Sequence, residues 1–435
     1  MTFERSRALQ PRFHRLIPGG SHTYAKGDDQ FPEFMPPYIV RGKGCHVWDA
    51  DGNEFIEYGM GLRAVTLGHA HPGVTAAAAR QMELGTNFVR PAVIELEAAE
   101  MLQDFIAGAE MVKFAKDGSD VNGGAVRVSR AFTGRDLVAI CANHPFFSVD
   151  DWFIGSTPMN AGIPEAVRDL TVRFRYNDIE SVRAMFARNR GRIACLIMEP
   201  EKEEPPRDGF LHDVKRICAE EGTVFVLDEM ITGFRWDNGG GQKFHGVTPD
   251  LSTFGKAMAN GFALSALVGR RDIMELGGLH HDRDRVFLIS TTHGAETHAL
   301  AAMMEVLRIY REEPVVRTLW ERGDRLASGI RSAAIRHGVQ EQVPVLGRPC
   351  CLVFGSRDAE GKPSQPYRTL LLQEIMKRGV LASSLVVSYA HTEEDIDRTV
   401  EAFDGALGVY RKALDGGVER YLEGRPVRPV MRRTN

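Results

Sequence analysis

Short, mostly apolar runs recur through the middle of the chain, separated by longer segments of helical pattern. Few folds accommodate that alternation. Met111 to Ala115, Leu137 to Cys141, Ala194 to Met198, Thr223 to Leu227, Leu251 to Phe254 and Ala266 to Gly269 each read as a strand. A strand apolar at successive positions is buried on both faces, as in parallel sheets covered by helices. Helical patterns over 121–133, 178–189 and 211–221 fall between these runs. The alternation predicts an α/β doubly wound domain with a mainly parallel sheet flanked by helices. The ends of the chain differ. Strand-like residues from Tyr38 to Tyr58 surround the turn Asp49-Ala50-Asp51-Gly52, which predicts a small antiparallel unit. After Pro314 come a long helix, short strands and a final helix from Thr392 to Leu414, opened by Thr392 as N-cap and acids in the first turn. These patterns place a large domain over 68–313. The end segments 1–67 and 314–435 share a smaller α+β domain.

Charge and cysteine usage narrow the class of partner. The net charge of −4, with both signs interspersed, argues against nucleic acid and anionic membranes. No run of about 18 apolar residues predicts a membrane span. The first fifteen residues are charged and lack the apolar core of a signal peptide. The six cysteines, at 45, 141, 195, 218, 350 and 351, form no Cys-x-x-Cys pair and are too sparse for a disulfide scaffold. A reducing, cytoplasmic location follows as an expectation.

Four features fall at carboxyl ends of the predicted strands, where open α/β sheets bind ligands. Lys116-Asp117-Gly118-Ser119-Asp120 links a strand to a helix. Its glycine admits a close backbone approach, and the helix N-terminus offers N–H groups to an anion. Asp228-Glu229 ends a buried strand, where a carboxylate needs a cation or hydrogen-bond donors. Lys256 follows the run ending at Phe254-Gly255, where partial burial favours its neutral, nucleophilic amine. His144-Pro145-Phe146-Phe147 follows another strand and offers an aromatic to stack on a flat ring. Taken singly, these also read as a plain helix cap, a structural ion pair, a surface lysine and core packing. Together they supply a phosphate cradle, a counter-acid, an amine and a ring cap, the set that pyridoxal phosphate requires. His280-His281 has no partner cluster nearby in sequence and reads as a solvated loop, so no metal is expected. No Gly-x-Gly-x-x-Gly follows a predicted strand, which argues against a nicotinamide enzyme.

Beyond these residues, the sequence resembles the class III aminotransferases of fold type I, in the branch around glutamate-1-semialdehyde 2,1-aminomutase. The resemblance rests on Ile17-Pro18-Gly19-Gly20, Leu67-Gly68-His69-Ala70-His71-Pro72, and Leu227 to Arg235. It continues through Pro249-Asp250, Phe254-Gly255-Lys256 and Ala390 to Asp397, and so covers nearly the whole chain. It implies that Lys256 forms the Schiff base with pyridoxal 5'-phosphate and that Asp228 pairs with the ring nitrogen. It also implies that Met230 packs beneath the ring, that Gly118 and Ser119 hold the phosphate, and that Phe146 stacks on the cofactor. Thr292 falls where a threonine from the neighbouring subunit completes the phosphate site, which implies a homodimer with shared active sites.

The chain departs from the aminomutase pattern on the substrate side. Lys26 stands where the family has a carboxylate-binding arginine, and offers a point charge in place of a bidentate fork. Ala295-Glu296-Thr297 replaces Gly-Asn-Pro, Glu201 to Glu204 is unusually charged for a site wall, and the chain is shorter between Gly379 and Ser388. Asn122-Gly123-Gly124 are poor helix formers, expected to open space beside the cofactor. Arg90 is a second candidate anchor for a substrate anion. With the cofactor residues intact and the wall altered, the first expectation is an intermolecular aminotransferase acting on a small amino donor and a carbonyl acceptor. The alternative is an intramolecular 2,1-aminomutase of the glutamate-1-semialdehyde type. A racemase and a non-catalytic pyridoxal phosphate-binding protein rank below both.

Overall fold

The computed structural model describes residues 1–142, 146–201 and 203–434. The chain divides into two compact units, one from 1–71 with 317–432 and the other from 72–316 with the last residues.

The second unit is built on a seven-stranded sheet. Its strands are β1 (Met111–Ala115), β2 (Leu137–Cys141), β3 (Thr171–Phe174), β4 (Ile193–Met198), β5 (Val224–Asp228), β6 (Leu251–Phe254) and β7 (Ser265–Gly269). They lie in the order β1-β7-β6-β5-β4-β2-β3. Strands β2 through β6 pair in parallel. β7 runs antiparallel to both neighbours, β6 and β1. Two reversals leave β1 pointing the same way as β6, so every strand except β7 ends at one edge of the sheet. Strands β2, β4, β5, β6 and β7 are buried at every position. β3 was not expected from the sequence. Thr171-Val172-Arg173-Phe174 alternates polar with apolar because it is an edge strand, with one neighbour and one half-exposed face. The helix Gly118–Thr133 covers one face with Val121, Ala125, Val126 and Val128. The helices Ile179–Arg188 and Phe210–Glu220 pack with Leu196, Met198, Phe225 and Leu227 on the other. Asp178 caps the first of these by accepting from Ser181 N at 2.9 Å.

The first unit contains the expected antiparallel strands Ile39–Lys43, His46–Asp49 and Glu54–Glu57, extended by Val380–Leu381 pairing in parallel with the last. Its final helix, Glu393–Gly416, opens with a capping box in which Thr392 Oγ1 accepts from Asp395 N and Asp395 Oδ2 accepts from Thr392 N at 2.9 Å. Asp395 also accepts from the Cys45 thiol at 3.3 Å and lies 3.0 Å from His46 Nε2. These three residues are the one group among the described residues with metal-compatible spacing, and hydrogen bonds among themselves and from Thr392 already account for it. His69 lies 3.1 Å from Glu57 Oε2 at the turn that begins with Gly68. All six cysteines are buried thiols, and no helix among the described residues is long and apolar enough to cross a membrane.

The long helix Val315–Arg336 passes close to the turn Pro349–Cys351 at Gly323, where an added Cβ would stand 1.9 Å from the Pro349 carbonyl oxygen. That oxygen belongs to the backbone and cannot rotate away. We expect Gly323→Ala to lose about 1–3 kcal/mol of stability through overpacking. Denaturant unfolding checks this, with Gly416→Ala, where an added Cβ meets nothing closer than 3.7 Å, as the comparison.

Candidate active site

The parallel strands bring their carboxyl ends to one edge, and the sequence-predicted groups gather there. Asp228 is the last residue of β5, Lys256 lies two residues past β6, Gly118 and Ser119 open the helix after β1, and Phe146 follows β2. β7 starts at this edge, and its first residue, Ser265, donates its hydroxyl to Asp117 O at 2.7 Å.

Met230 shows how closely these groups pack. A Cβ built on Gly118 would lie 3.3 Å from Met230 Sδ, and one built on Gly255 would lie 2.7 Å from the same sulfur. Glycine at 255 therefore lets the Lys256 backbone approach the strand end that carries Asp228. Lys256 itself has φ +45°, in the left-handed region where a side-chain-bearing residue stores strain.

Asp228 is 1 % exposed. Its Oδ1 accepts from Met230 N at 2.8 Å and its Oδ2 from Asn122 Nδ2 at 2.8 Å. Burial raises its pKa, while the Lys256 charge, the Met230 N–H and the Asn122 amide act in the opposite sense. The adjacent Glu229 has a different task. It accepts from the Thr232 hydroxyl, from Gly241 N at 2.8 Å and from Gln242 N at 2.6 Å, and burial pushes its pKa up to about 7. Two neighbouring acids thus divide between the site edge and the bracing of the segment 240–242.

At the loop after β1, Asp117 caps the helix by accepting from Ser119 N at 2.7 Å and Asp120 N at 3.2 Å. An anionic group already faces the helix N-terminus, which favours negative charge. Ser119 Oγ accepts from Val149 N at 3.1 Å. Lys116, one residue before Asp117, forms an ion pair with Glu296, which also lies 3.0 Å from His293 Nδ1.

Phe146 is 46 % exposed and meets Phe153 edge-on, with ring centroids 5.6 Å apart. His144 and Pro145 lie outside the described residues. Phe147 is buried, and its carbonyl accepts from Asn122 Nδ2 at 2.7 Å, which ties this segment to Asp228 through one amide.

Other expected residues are exposed. Thr292 is exposed, with its carbonyl accepting from Asn87 Nδ2 at 2.9 Å, so the loop carrying Arg90 is fastened beside it. Arg90 is exposed, and Lys26 is exposed on the turn Tyr24–Lys26 of the first compact unit. Glu201 is not part of an open wall. It is buried, accepts from Trp236 Nε1 at 3.2 Å and lies 2.9 Å from His245 Nε2. Lys202 lies outside the described residues. The space expected from Gly123 and Gly124 is filled. An added Cβ would meet Asp150 Oδ2 at 2.4 Å and Ile289 Cγ1 at 2.8 Å, so these glycines admit neighbouring chain segments.

The chain matches the model of the class III aminotransferases over residues 24–407. It belongs to that family. A glutamate-1-semialdehyde 2,1-aminomutase of Geotalea daltonii is 31% identical over 92% of this chain and 98% of its own. Among solved structures, the FumI protein of Sphingopyxis sp. MTA144, in its pyridoxal phosphate internal aldimine form, superposes with a TM-score of 0.87 at 28% identity, covering 95% of this chain and 98% of that one. An omega-transaminase from Sphaerobacter thermophilus superposes at 0.83 with 25% identity, covering 93% and 97%. The fold is that of the fold type I pyridoxal phosphate enzymes, and pyridoxal 5'-phosphate is the cofactor. The residues present suit it. A buried carboxylate, a lysine at the same sheet edge and a helix N-terminus that draws an anion meet around Met230, which packs closely against Gly118 and Gly255.

Asp117 sets a negative charge where a phosphate dianion would bind the same N–H groups. Asp117→Asn keeps the helix cap and removes that charge. We expect it to bind pyridoxal phosphate severalfold more tightly at neutral pH, read by absorbance titration. Unchanged or weaker binding would show that the phosphate is held clear of Asp117.

Proposed function

We propose that this enzyme moves an amino group on small amino and carbonyl substrates, with Lys256 as the lysine that holds pyridoxal phosphate and transfers protons. The observation that carries the reading is the position of Lys256 at the same sheet edge as the buried Asp228, with Gly118 and Gly255 closing on Met230 between them. When bound, the cofactor draws electrons from the substrate carbon into its ring. Asp228 would hold the proton on the ring nitrogen. The Lys256 amine would take a proton from one carbon and return it at another position, as general base and then acid. Gly118 and Ser119 would hold the phosphate, and Phe146 would cover the ring.

The relatives favour the intramolecular form over the intermolecular one that the sequence put first. A curated relative that matches the chain almost end to end is a glutamate-1-semialdehyde 2,1-aminomutase. We therefore place first a reaction in which the amino group shifts between adjacent carbons of one substrate. The intermolecular aminotransferase remains the second reading, favoured by the changed residues Lys26 and Ala295-Glu296-Thr297 and by the likeness to an omega-transaminase. Substrate binding by Lys26 and Arg90 is part of the proposal under either form.

A homodimer is likewise proposed. Met82, Leu84, Phe88, Val89, Val93 and Leu96 expose large apolar side chains along one stretch beside the loop fastened to Thr292. Burial of that stretch against a second copy would bring Thr292 to the partner's phosphate.

Three measurements test this reading. Lys256→Ala is expected to abolish the visible absorption band of bound pyridoxal phosphate, and a persisting band would refute the lysine assignment. Glutamate-1-semialdehyde supplied alone is expected to turn over with no second substrate. Turnover only with a donor and acceptor pair would establish the aminotransferase instead. Light scattering is expected to give a mass near twice 48.3 kDa, and a monomer would exclude the shared phosphate site.

A further inference from the structure

Asn122 occupies a position where an amide has no local reason to be. It lies in the interior of the helix Gly118–Thr133, is fully buried, and is flanked by Val121, Ala125 and Val126, which pack into the apolar core. A buried side-chain amide is destabilising unless its donors and acceptor are met. All three kinds of partner are present. Nδ2 donates to Asp228 Oδ2 at 2.8 Å and to Phe147 O at 2.7 Å, and Oδ1 accepts from Thr253 Oγ1 at 2.8 Å. The amide's orientation follows from these partners. Turned over, it would set its oxygen against a carbonyl and a carboxylate, and its NH₂ would face a hydroxyl.

The three partners belong to three different parts of the site. Asp228 is the acid, Thr253 lies in β6 three residues before Lys256, and Phe147 adjoins the stacking candidate Phe146. We propose that Asn122, held in place by Thr253, is a positioning residue that fixes the direction and the charge of the Asp228 carboxylate toward the cofactor's ring nitrogen. This rests on the function proposed above and specifies how its acid is set. With Asn122 on Oδ2 and Met230 N on Oδ1, both oxygens are fixed before any ligand arrives, so the carboxylate needs no reorganisation to take a protonated ring nitrogen. Hydrogen bonds to the charged form also favour that form in a site where burial opposes it.

The test uses wild type, Asn122→Ala and Thr253→Val, each titrated with pyridoxal phosphate and then scanned across pH by absorbance. Loss of a hydrogen bond to a buried charge should weaken cofactor binding by about tenfold in Asn122→Ala. The pH at which the visible band gives way should also move upward. A ring nitrogen less firmly protonated draws less electron density from the Lys256 nitrogen, which then keeps its proton to higher pH. Thr253→Val leaves Asn122 and Asp228 in place and removes the donor that orients the amide. It should shift the band in the same direction by less, and it serves where Asn122→Ala does not fold, as judged by the thermal transition without cofactor. A purely structural role would lower that transition and leave the band's pH dependence unmoved, which would overturn the proposal. Folded variants that match wild type in affinity and in the pH dependence of the band would also overturn it, leaving the function intact. A wild type without any band dependent on Lys256 would instead overturn the function proposed, and this inference with it.

Discussion

The site depends on a carboxylate kept out of water. Asp228 ends a strand buried at every position, and an isolated charge there would be expelled or neutralised. It is accommodated by one backbone N–H, one amide and the positive charge of Lys256. Each of these comes from a different element, so the acid is set only when the turn after β5, the helix after β1 and the turn after β6 have all docked. The same requirement explains the glycine at 255, since a side chain there would stand 2.7 Å from Met230 Sδ and displace it.

Much of this was legible because burial leaves a strong mark on sequence. The six apolar runs of the central domain are strands, and the acid, the lysine and the glycine–serine pair lie at their ends as expected. Direction was not legible. A fully buried run such as Ser265–Gly269 looks the same whichever way it points, and β7 proved antiparallel in a sheet otherwise of one sense. β3 escaped notice because Arg173 and Thr171 break its apolar run at an edge with a single neighbour. Asn122 was read as a weak helix former because its partners are remote in the chain, at Phe147, Asp228 and Thr253. No local pattern encodes such contacts. The available signal was a polar residue on the apolar face of a helix, which demands partners without naming them.

Buried and exposed candidates obey different constraints. Asp228, Asn122 and Met230 are buried and interlocked, so substitutions there disturb several elements at once. Lys26, Arg90 and Thr292 are exposed, and exposed positions are freer to change. Such a division accommodates a sequence that resembles the family at Lys256 and Asp228 and departs from its pattern at Lys26 and at Ala295-Glu296-Thr297. It also explains why relatives with different reactions share one backbone so closely.

The reversed strand has a consequence for how the protein is made. β6 and β7 adjoin in sequence and can pair soon after synthesis, which fixes the turn bearing Lys256. β1, which leads into the helix opened by Gly118 and Ser119, emerges early, yet its sheet partner is β7, synthesised far later. Until that long-range pairing closes, β1 has no seat in the sheet and the anion-binding helix end stays apart from the lysine. A ligand that binds only where the helix end and the lysine have come together therefore favours the chain in which that pairing has closed.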